Sequence, residues 1–435
     1  MKKHTTYTRR SFLHKTAILG IAAPVVVPAR VLGGRGYTGP GDQVGIGYIG
    51  VGRRARGLMN LPRAARIVAV CDVDLRKAKA MAKKRNCRAY QDYRKMLEAK
   101  DIDAVIISTP DHWHALPSIH ACQADKDVYC EKPLSLTIRE GRLMVEAARK
   151  YDRVFQTGSQ QRSMKQNRIA CELIRNGRIG KVHTVIGHNY PSPWELKFPG
   201  QPLPPELNWD MWCGQTDPVP FHRDIYVSRA NPGWISCRTY SGGEMTGWGA
   251  HGLDQVQWAL GMDDSGPVEV WTEGGKFDPP VYTAPESRSR GNQLCSKPKV
   301  CFRYANGVVL RLENGPPGGA IFIGTKGKIT ISRGRFTVDP PELAEEPLGP
   351  GAIRLPVSDD HMLNWIACIK SRKRPVADVE IGHRSCTVCH LGNIARWIGR
   401  PLKWDPKKER FVGDPQADSY LDRPKRKPYD MPDRI

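Results

Sequence analysis

Short apolar runs alternate with helix-like stretches along the first third of the chain. The runs are too short for buried helices and are typical of buried strands; they occupy residues 43–49, 66–70, 103–108, 128–130 and 154–157. The stretches between them predict helices at residues 53–61, 75–85, 93–100, 114–124 and 135–151. Strands that alternate with helices predict a doubly wound, parallel α/β sheet.

The pattern changes in the second half of the chain. Alternation with period two and a Thr-Lys-Gly turn at 325–327 predict antiparallel strands; the clearest lie at residues 181–190, 300–304 and 308–313. Residues 191–240 are rich in Pro and Trp, which predicts long loops. Residues 274–298 carry several Pro, Gly and Ser and predict a mobile insertion. The fold class is therefore a parallel doubly wound sheet followed by a second α/β domain.

A glycine turn joins the first predicted strand to the first helix. Its pattern is G-x-G-x-x-A, with Gly50, Gly52 and Ala55 at the fixed positions. The first glycine permits a tight turn, the second lets the backbone approach a pyrophosphate, and the small third residue packs helix on strand. Arg53 and Arg54 can add positive charge here, although the sequence favours solvated arginines. A tight strand–helix turn without a ligand is the simpler alternative.

A carboxylate follows the second predicted strand. Asp72 lies 17 residues after Ala55, close to the spacing of a carboxylate that binds the adenosine ribose of a dinucleotide. A carboxylate there disfavours a 2′-phosphate, so NAD is expected rather than NADP. The alternative for Asp72 is a helix N-cap.

Further candidate residues follow the ends of the predicted strands. Ligands of parallel sheets bind at the carboxyl ends of strands. The cofactor-binding candidates at these ends are Thr109, Pro110, His112, His114, Glu131, Lys132 and Gln160.

Composition changes this picture little. Of 435 residues, 40% are hydrophobic and 26% charged, which is ordinary for a globular protein. The 12 cysteines are too few for a disulfide scaffold, and several in apolar contexts are expected to be core residues. The net charge of +23 suggests a nucleic-acid partner, but basic runs interleaved with aromatic residues are missing, so none is expected.

The first 40 residues resemble an export leader. They contain seven Lys or Arg and no acid, so the rest of the chain carries +16. The segment Thr8-Arg9-Arg10-Ser11-Phe12-Leu13 is similar to a twin-arginine signal. The apolar run at 17–27 is 11 residues long, too short to span a bilayer. We expect a periplasmic protein without a stable membrane span; a basic tail is the alternative.

One motif points to different chemistry. Cys386-Thr387-Val388-Cys389-His390 matches the C-x-x-C-H pattern of haem attachment. It lies inside a predicted amphipathic helix at 384–398, which favours a structural role. A second ligand pair at zinc-finger spacing is missing, so no metal site is expected.

Several sequence blocks together resemble the Gfo/Idh/MocA oxidoreductases. They are IGVGRRARG (49–57), VCDVD (70–74), DAVIISTPDHWHALPSIHAC (103–122), VYCEKPLSLT (128–137) and GGEMTGWGAHGLDQVQWALG (242–261). The resemblance implies an NAD-binding Rossmann domain at 42–162 and a substrate and oligomerisation domain at 163–435. The second domain is expected to hold an open, mostly antiparallel sheet, often the face of a homodimer or homotetramer.

The resemblance also implies a reaction. It is hydride transfer between NAD and a secondary hydroxyl of a sugar, cyclitol or glycoside. Lys132 matches the family lysine that polarises the substrate oxygen. His251 matches its substrate-side histidine, and Asp254, one helical turn later, is expected to orient His251 or bind a hydroxyl. The alternatives are a solvated Lys132 at a strand end and a packing role for His251.

One position departs from the family pattern. The family usually has Asp four residues before the histidine, where this chain has Gly247, and it often has Gly where this chain has Glu244. One carboxylate is therefore missing, or its role has moved to Glu244 or Asp254. Two alternatives stay open: a glycosidase or lyase that uses resident NAD, and a non-catalytic sugar-binding protein.

Overall fold

Six parallel strands form the first sheet of the computed structural model, which describes residues 43–279 and 281–435. The leader predicted at residues 1–40 lies outside the described residues. The strands are β1 (Val44–Ile49), β2 (Ala65–Cys71), β3 (Arg88–Tyr90), β4 (Ala104–Ile107), β5 (Asp127–Cys130) and β6 (Phe155–Thr157). Their order is β3-β2-β1-β4-β5-β6, that of a doubly wound Rossmann sheet. The parallel sheet was predicted, whereas its edge strand β3 was not. The order reverses between β1 and β4, which leaves a crevice at their carboxyl ends.

Five helices accompany these strands in the described chain: α1 (Arg53–Leu58), α2 (Leu75–Arg85), α3 (Tyr93–Leu97), α4 (Ala115–Gln123) and α5 (Ile138–Lys150). Their positions follow the predicted helices, with shorter ends. The α5 helix begins at Ile138 rather than at 135 because Thr137 caps it: its hydroxyl accepts from the Glu140 amide at 3.2 Å.

A second sheet confirms the predicted antiparallel half. It contains β7 (Val182–His188), β8 (Pro267–Glu273), β9 (Lys299–Tyr304), β10 (Val309–Glu313), β11 (Ala320–Gly324), β12 (Lys328–Ser332), β13 (Arg335–Asp339), β14 (Leu402–Asp405) and β15 (Arg410–Phe411). The order is β13-β12-β11-β7-β10-β9-β8-β14-β15, and among these pairs only β7–β10 is parallel. The homo-oligomer expected from this sheet stays a prediction.

The remaining described helices are α6 (Lys165–Arg175), α7 (Trp209–Cys213), α8 (Arg223–Tyr226), α9 (Glu244–Gly247), α10 (Gly249–Leu260), α11 (Arg288–Cys295), α12 (His361–Ser371), α13 (Val379–Ile398) and α14 (Pro415–Asp418). The α10 and α13 helices pack together over one face of the second sheet, with Leu253 and Leu391 in the same core as Phe302. Residues 191–240 are mostly loop, as predicted. The α11 helix in the expected insertion was not predicted. No helix in the described ranges is long and apolar enough to cross a bilayer.

Candidate functional site

A cavity of about 570 Å³ opens at the carboxyl ends of the parallel strands. Most of the predicted cofactor residues line it: Gly50, Gly52, Arg53, Asp72, Thr109, Pro110, His114, Glu131 and Lys132. Side chains of the 191–240 loops close its other wall: Met211, Trp212, Tyr226, Val227, Arg229, Trp234 and Ile235. The sequence predicts loops at 191–240 but carries no signal that identifies these residues as part of the site.

Different structural constraints require glycine at the two positions of the turn. Gly50 has φ +83°, and a Cβ there would lie 3.0 Å from the carbonyl oxygen of Ser108. The backbone itself therefore requires this glycine. Gly52 has an ordinary φ of −64°, and nothing lies within 4 Å of where its Cβ would be. Because Gly52 lines the cavity, a side chain there would fill space that a pyrophosphate needs, so the turn fits a dinucleotide.

Asp72 faces the cavity from the end of β2. Its Oδ2 accepts from the Val51 amide at 3.0 Å, and its Oδ1 accepts from the Asp74 amide at 2.9 Å. These bonds tie the carboxylate to the glycine turn, although burial raises the pKa of Asp72. The α2 helix begins after Asp74, so the N-cap alternative for Asp72 is wrong. Ala55 is fully buried on α1, as helix–strand packing requires.

Glu131 is held at the cavity wall by two side chains. Its Oε1 accepts from Arg54 Nε at 2.8 Å and from Gln160 Nε2 at 2.9 Å. Arg54 is thus tied to Glu131, while 47% of its side chain stays exposed to solvent. Gln160 does not line the cavity, and it acts in this structure by fixing Glu131.

Lys132 reaches across to the second half of the chain. Its Nζ donates to the carbonyl of Gly247 at 2.9 Å, so the alternative of a solvated strand-end lysine is wrong. Burial lowers the pKa of Lys132, and the negative charges of Glu131, Asp111 and Glu244 oppose that shift. Asp111 was not predicted; it accepts from the Ser241 hydroxyl at 2.6 Å.

His251 lies buried on the first turns of α10, close to the Trp248 ring. Burial, and then the positive charges of Lys132 and Arg333, keep the pKa of His251 well below its usual value. Its imidazole is therefore neutral near pH 7 and can accept a proton.

Asp254 is not brought into the cavity. Its carboxylate accepts from Arg162 Nε at 2.9 and 3.0 Å and from the Ser385 hydroxyl at 2.7 Å. These bonds fix the Asp254 carboxylate between α10 and α13, where its role is structural. They do not orient His251.

The two predicted histidines after β4 lie in different places. His114 lines the cavity, and its ring nitrogens lie 2.6 Å from the Pro133 carbonyl oxygen and 3.1 Å from that of Thr109. His112 is fully buried behind the wall, with Nε2 2.7 Å from the Trp212 carbonyl oxygen. It supports the α7 helix, which bears Trp212, and does not reach the cavity.

The C-x-x-C-H motif is part of the protein core. Cys386 lies on α13 with its sulfur 3.3 Å from His390 Nε2, and burial raises the pKa of its thiol to about 11. Cys389 is fully buried. In the described ranges, no cluster of three His, Cys, Asp or Glu side chains can hold a metal ion.

Two family models match this chain. An oxidoreductase family NAD-binding Rossmann fold matches residues 43–159, and an oxidoreductase family C-terminal alpha/beta domain matches residues 174–431. Inositol 2-dehydrogenase of Salmonella typhimurium is 35% identical over 34% of this chain and 44% of its own length. 2,7-Anhydro-N-acetylneuraminate hydratase of Escherichia coli is 30% identical over 66% of each chain. The chain thus spans less than half the length of several curated relatives it matches, such as the inositol dehydrogenase.

Solved structures share the fold at low sequence identity. Aldose-aldose oxidoreductase from Caulobacter crescentus, complexed with glycerol, is 18% identical with a TM-score of 0.57. The WlbA dehydrogenase from Bordetella pertussis, with NADH and UDP-GlcNAcA, is 16% identical with a TM-score of 0.58. Each alignment covers 83% of this chain and 99% of the other. The glycine turn, the two sheets and the two family matches show that the chain belongs to the Gfo/Idh/MocA oxidoreductase family.

Proposed function

We propose that this protein transfers a hydride between NAD and a secondary hydroxyl of a sugar, cyclitol or glycoside. One observation carries the proposal: Lys132 lines the same cavity as Gly52, beside which there is open space for a ligand. A dinucleotide site and a cation that can hold an alkoxide are thus side by side.

Each residue has its own role in the proposed reaction. Gly50 and Gly52 admit the pyrophosphate, and Asp72 accepts hydrogen bonds from the adenosine ribose, which favours NAD over NADP. NAD, when bound, supplies the hydride acceptor. Lys132 holds the substrate oxygen and stabilises its negative charge. His251 does not itself line the cavity. It is assigned the hydroxyl proton on the family match and on its neutral imidazole.

The proposal is tested by absorbance of NADH with a panel of polyols, sugars and glycosides. The wild-type chain is expected to reduce NAD with at least one of them, and Lys132→Met is expected to lose about 10²-fold or more in turnover. Lys95→Met, at an exposed position on α3, is the matched control and should retain full activity. A Lys132→Met variant as active as this control would contradict the assignment.

A second candidate is chemistry without net redox. Gly50, Gly52 and Asp72 would hold NAD in the same place, and the bound cofactor would supply a hydride acceptor that is restored within each turnover. The relative that matches 66% of this chain is named a hydratase, which supports this candidate. Product release from a glycoside or anhydrosugar without NADH accumulation distinguishes it from a dehydrogenase.

We also propose export through the twin-arginine route, supported by Arg9, Arg10 and the short apolar run that follows them. Cell fractionation of the wild-type chain and of an Arg9→Lys, Arg10→Lys double variant tests it. Retention of only the double variant in the cytoplasm is expected, and equal distribution of both would contradict export.

A further inference from the structure

A glycine and a carboxylate occupy unusual positions in the short α9 helix. The chain has Glu244 at the first position of α9 and Gly247 at the last, one helical turn apart. The family resemblance leads to the reverse expectation of Gly at 244 and Asp at 247. This exchange raises the question of where the carboxylate of Glu244 lies.

The Glu244 carboxylate occupies the space of a side chain at position 247. A Cβ built on Gly247 would lie 2.8 Å from Glu244 Oε2. A carboxylate oxygen of aspartate lies roughly 2.4 Å from its own Cβ by standard bond lengths. One Glu244 oxygen therefore lies about where an aspartate at 247 would place its own.

The two oxygens of Glu244 have different surroundings. Oε1 lies 3.3 Å from Arg229 and 3.2 Å from Arg288. Oε2 is buried and has no hydrogen-bond partner among the residues that the structure describes. A buried unpaired carboxylate oxygen is costly, which indicates a function for it. The two guanidinium groups fix the orientation of the carboxylate through the other oxygen.

Gly247 links this oxygen to Lys132. The Gly247 carbonyl accepts from Lys132 Nζ at 2.9 Å, and the missing side chain of the same residue would point at Glu244 Oε2. Glu244 and Lys132 are thus on either side of one residue that lines the cavity. The charged and titratable groups around Lys132 are Glu131, Asp111, Glu244, Arg229 and His251.

We propose that Glu244 is a positioning residue for Lys132: its free carboxylate oxygen replaces the aspartate that Gly247 lacks and keeps the Lys132 ammonium charged and facing the substrate. The inference rests on the proposed function, because it assigns Lys132 to the substrate oxygen. It explains why the missing carboxylate at 247 does not imply a missing activity.

The test is the titration of Lys132 in the full chain. The titration is monitored through the pH dependence of Lys132 acetylation by acetic anhydride, and peptide mass spectrometry measures the extent of acetylation. Glu244→Gln is expected to move the Lys132 midpoint to lower pH. The exchange variant Glu244→Gly, Gly247→Asp is expected to restore the wild-type midpoint, because the carboxylate returns to the same space. Glu345→Gln, at an exposed glutamate, is the control and should leave the midpoint unchanged.

Turnover provides the second measurement. Glu244→Gln should lower kcat by about 10²-fold with little change in KM, and the exchange variant should regain most of the loss. An unchanged Lys132 midpoint in Glu244→Gln, or an exchange variant no better than Glu244→Gly alone, would overturn the role of Glu244. Failure of the wild-type chain to bind NAD would instead overturn the proposed function, and the titration separates the two results.

Discussion

Arg162 and Asp254 form a fully buried ion pair, with Arg162 Nε 2.9 Å from Asp254 Oδ1 and both side chains 1% exposed. Arg162 follows β6 and Asp254 lies on α10, so the pair joins the segment after the first sheet to a helix of the second half. The pair explains why an H-x-x-D pattern in the sequence does not place its aspartate in the cavity.

Removing one partner of this pair should destabilise the protein strongly. Arg162→Leu leaves the Asp254 carboxylate buried without its cation, at an expected cost of about 3–5 kcal/mol in the free energy of unfolding. Urea unfolding measures it. The exposed pair Lys95–Glu98 is the control, and Lys95→Ala should cost less than about 0.5 kcal/mol. Equal small effects of both substitutions would contradict the structural role of Arg162.

The two glycines of the turn should respond oppositely to substitution. Gly52→Val should leave the melting temperature nearly unchanged and abolish NAD binding, because its side chain would enter open space in the cavity. Gly50→Ala should lower the melting temperature, because φ +83° is strained for any other residue. Thermal unfolding and NAD titration by fluorescence check both. A Gly52→Val variant that binds NAD like the wild type would show that the pyrophosphate lies elsewhere.

The pH dependence of turnover should have its acid limb well below the usual histidine value of about 6.5. Burial and the nearby Lys132 keep the pKa of His251 low, so the imidazole stays neutral and able to accept a proton at pH values where an ordinary histidine is already protonated. Measurement of kcat/KM against pH checks this. His251→Asn should lose most of the rate, and an acid limb at or above 6.5 would argue against His251 as the base.

Acid stability should depend on Arg142. Burial would raise the pKa of Glu380, but hydrogen bonds and charge from Arg142, at 2.9 Å, lower it to about 2. An unfolded glutamate has a pKa of about 4.3, so this contribution is present above that value and lost as the pH falls towards 2. Arg142→Met should lower stability at pH 6 and flatten its dependence between pH 5 and 2. A slope equal to that of the wild type would contradict this contribution.

The first sheet was predictable because its signals are local. Every strand except the edge strand β3, which is Arg-Ala-Tyr, is a short apolar run. Gly50, Gly52 and Lys132 stand at fixed offsets from strand ends, so period and spacing locate them in one cavity. Thr137 shows the limit of such signals, since its capping bond shifts the start of α5 by three residues.

Other parts of the site depend on contacts between distant residues. Glu244 meets Arg288, 44 residues away, and Lys132 meets Gly247, 115 residues away. No periodicity within a segment encodes such pairs. Trp212 and Tyr226 reach the cavity from the short helices α7 and α8. The course of the loops around these helices depends on packing rather than on a repeating pattern.

Native mass spectrometry of the purified full chain with added NAD tests the central claim most directly. The wild-type chain is expected to bind one NAD, and Gly52→Val is expected to bind none at an unchanged melting temperature. A wild-type chain that binds no dinucleotide would contradict dinucleotide binding at the glycine turn.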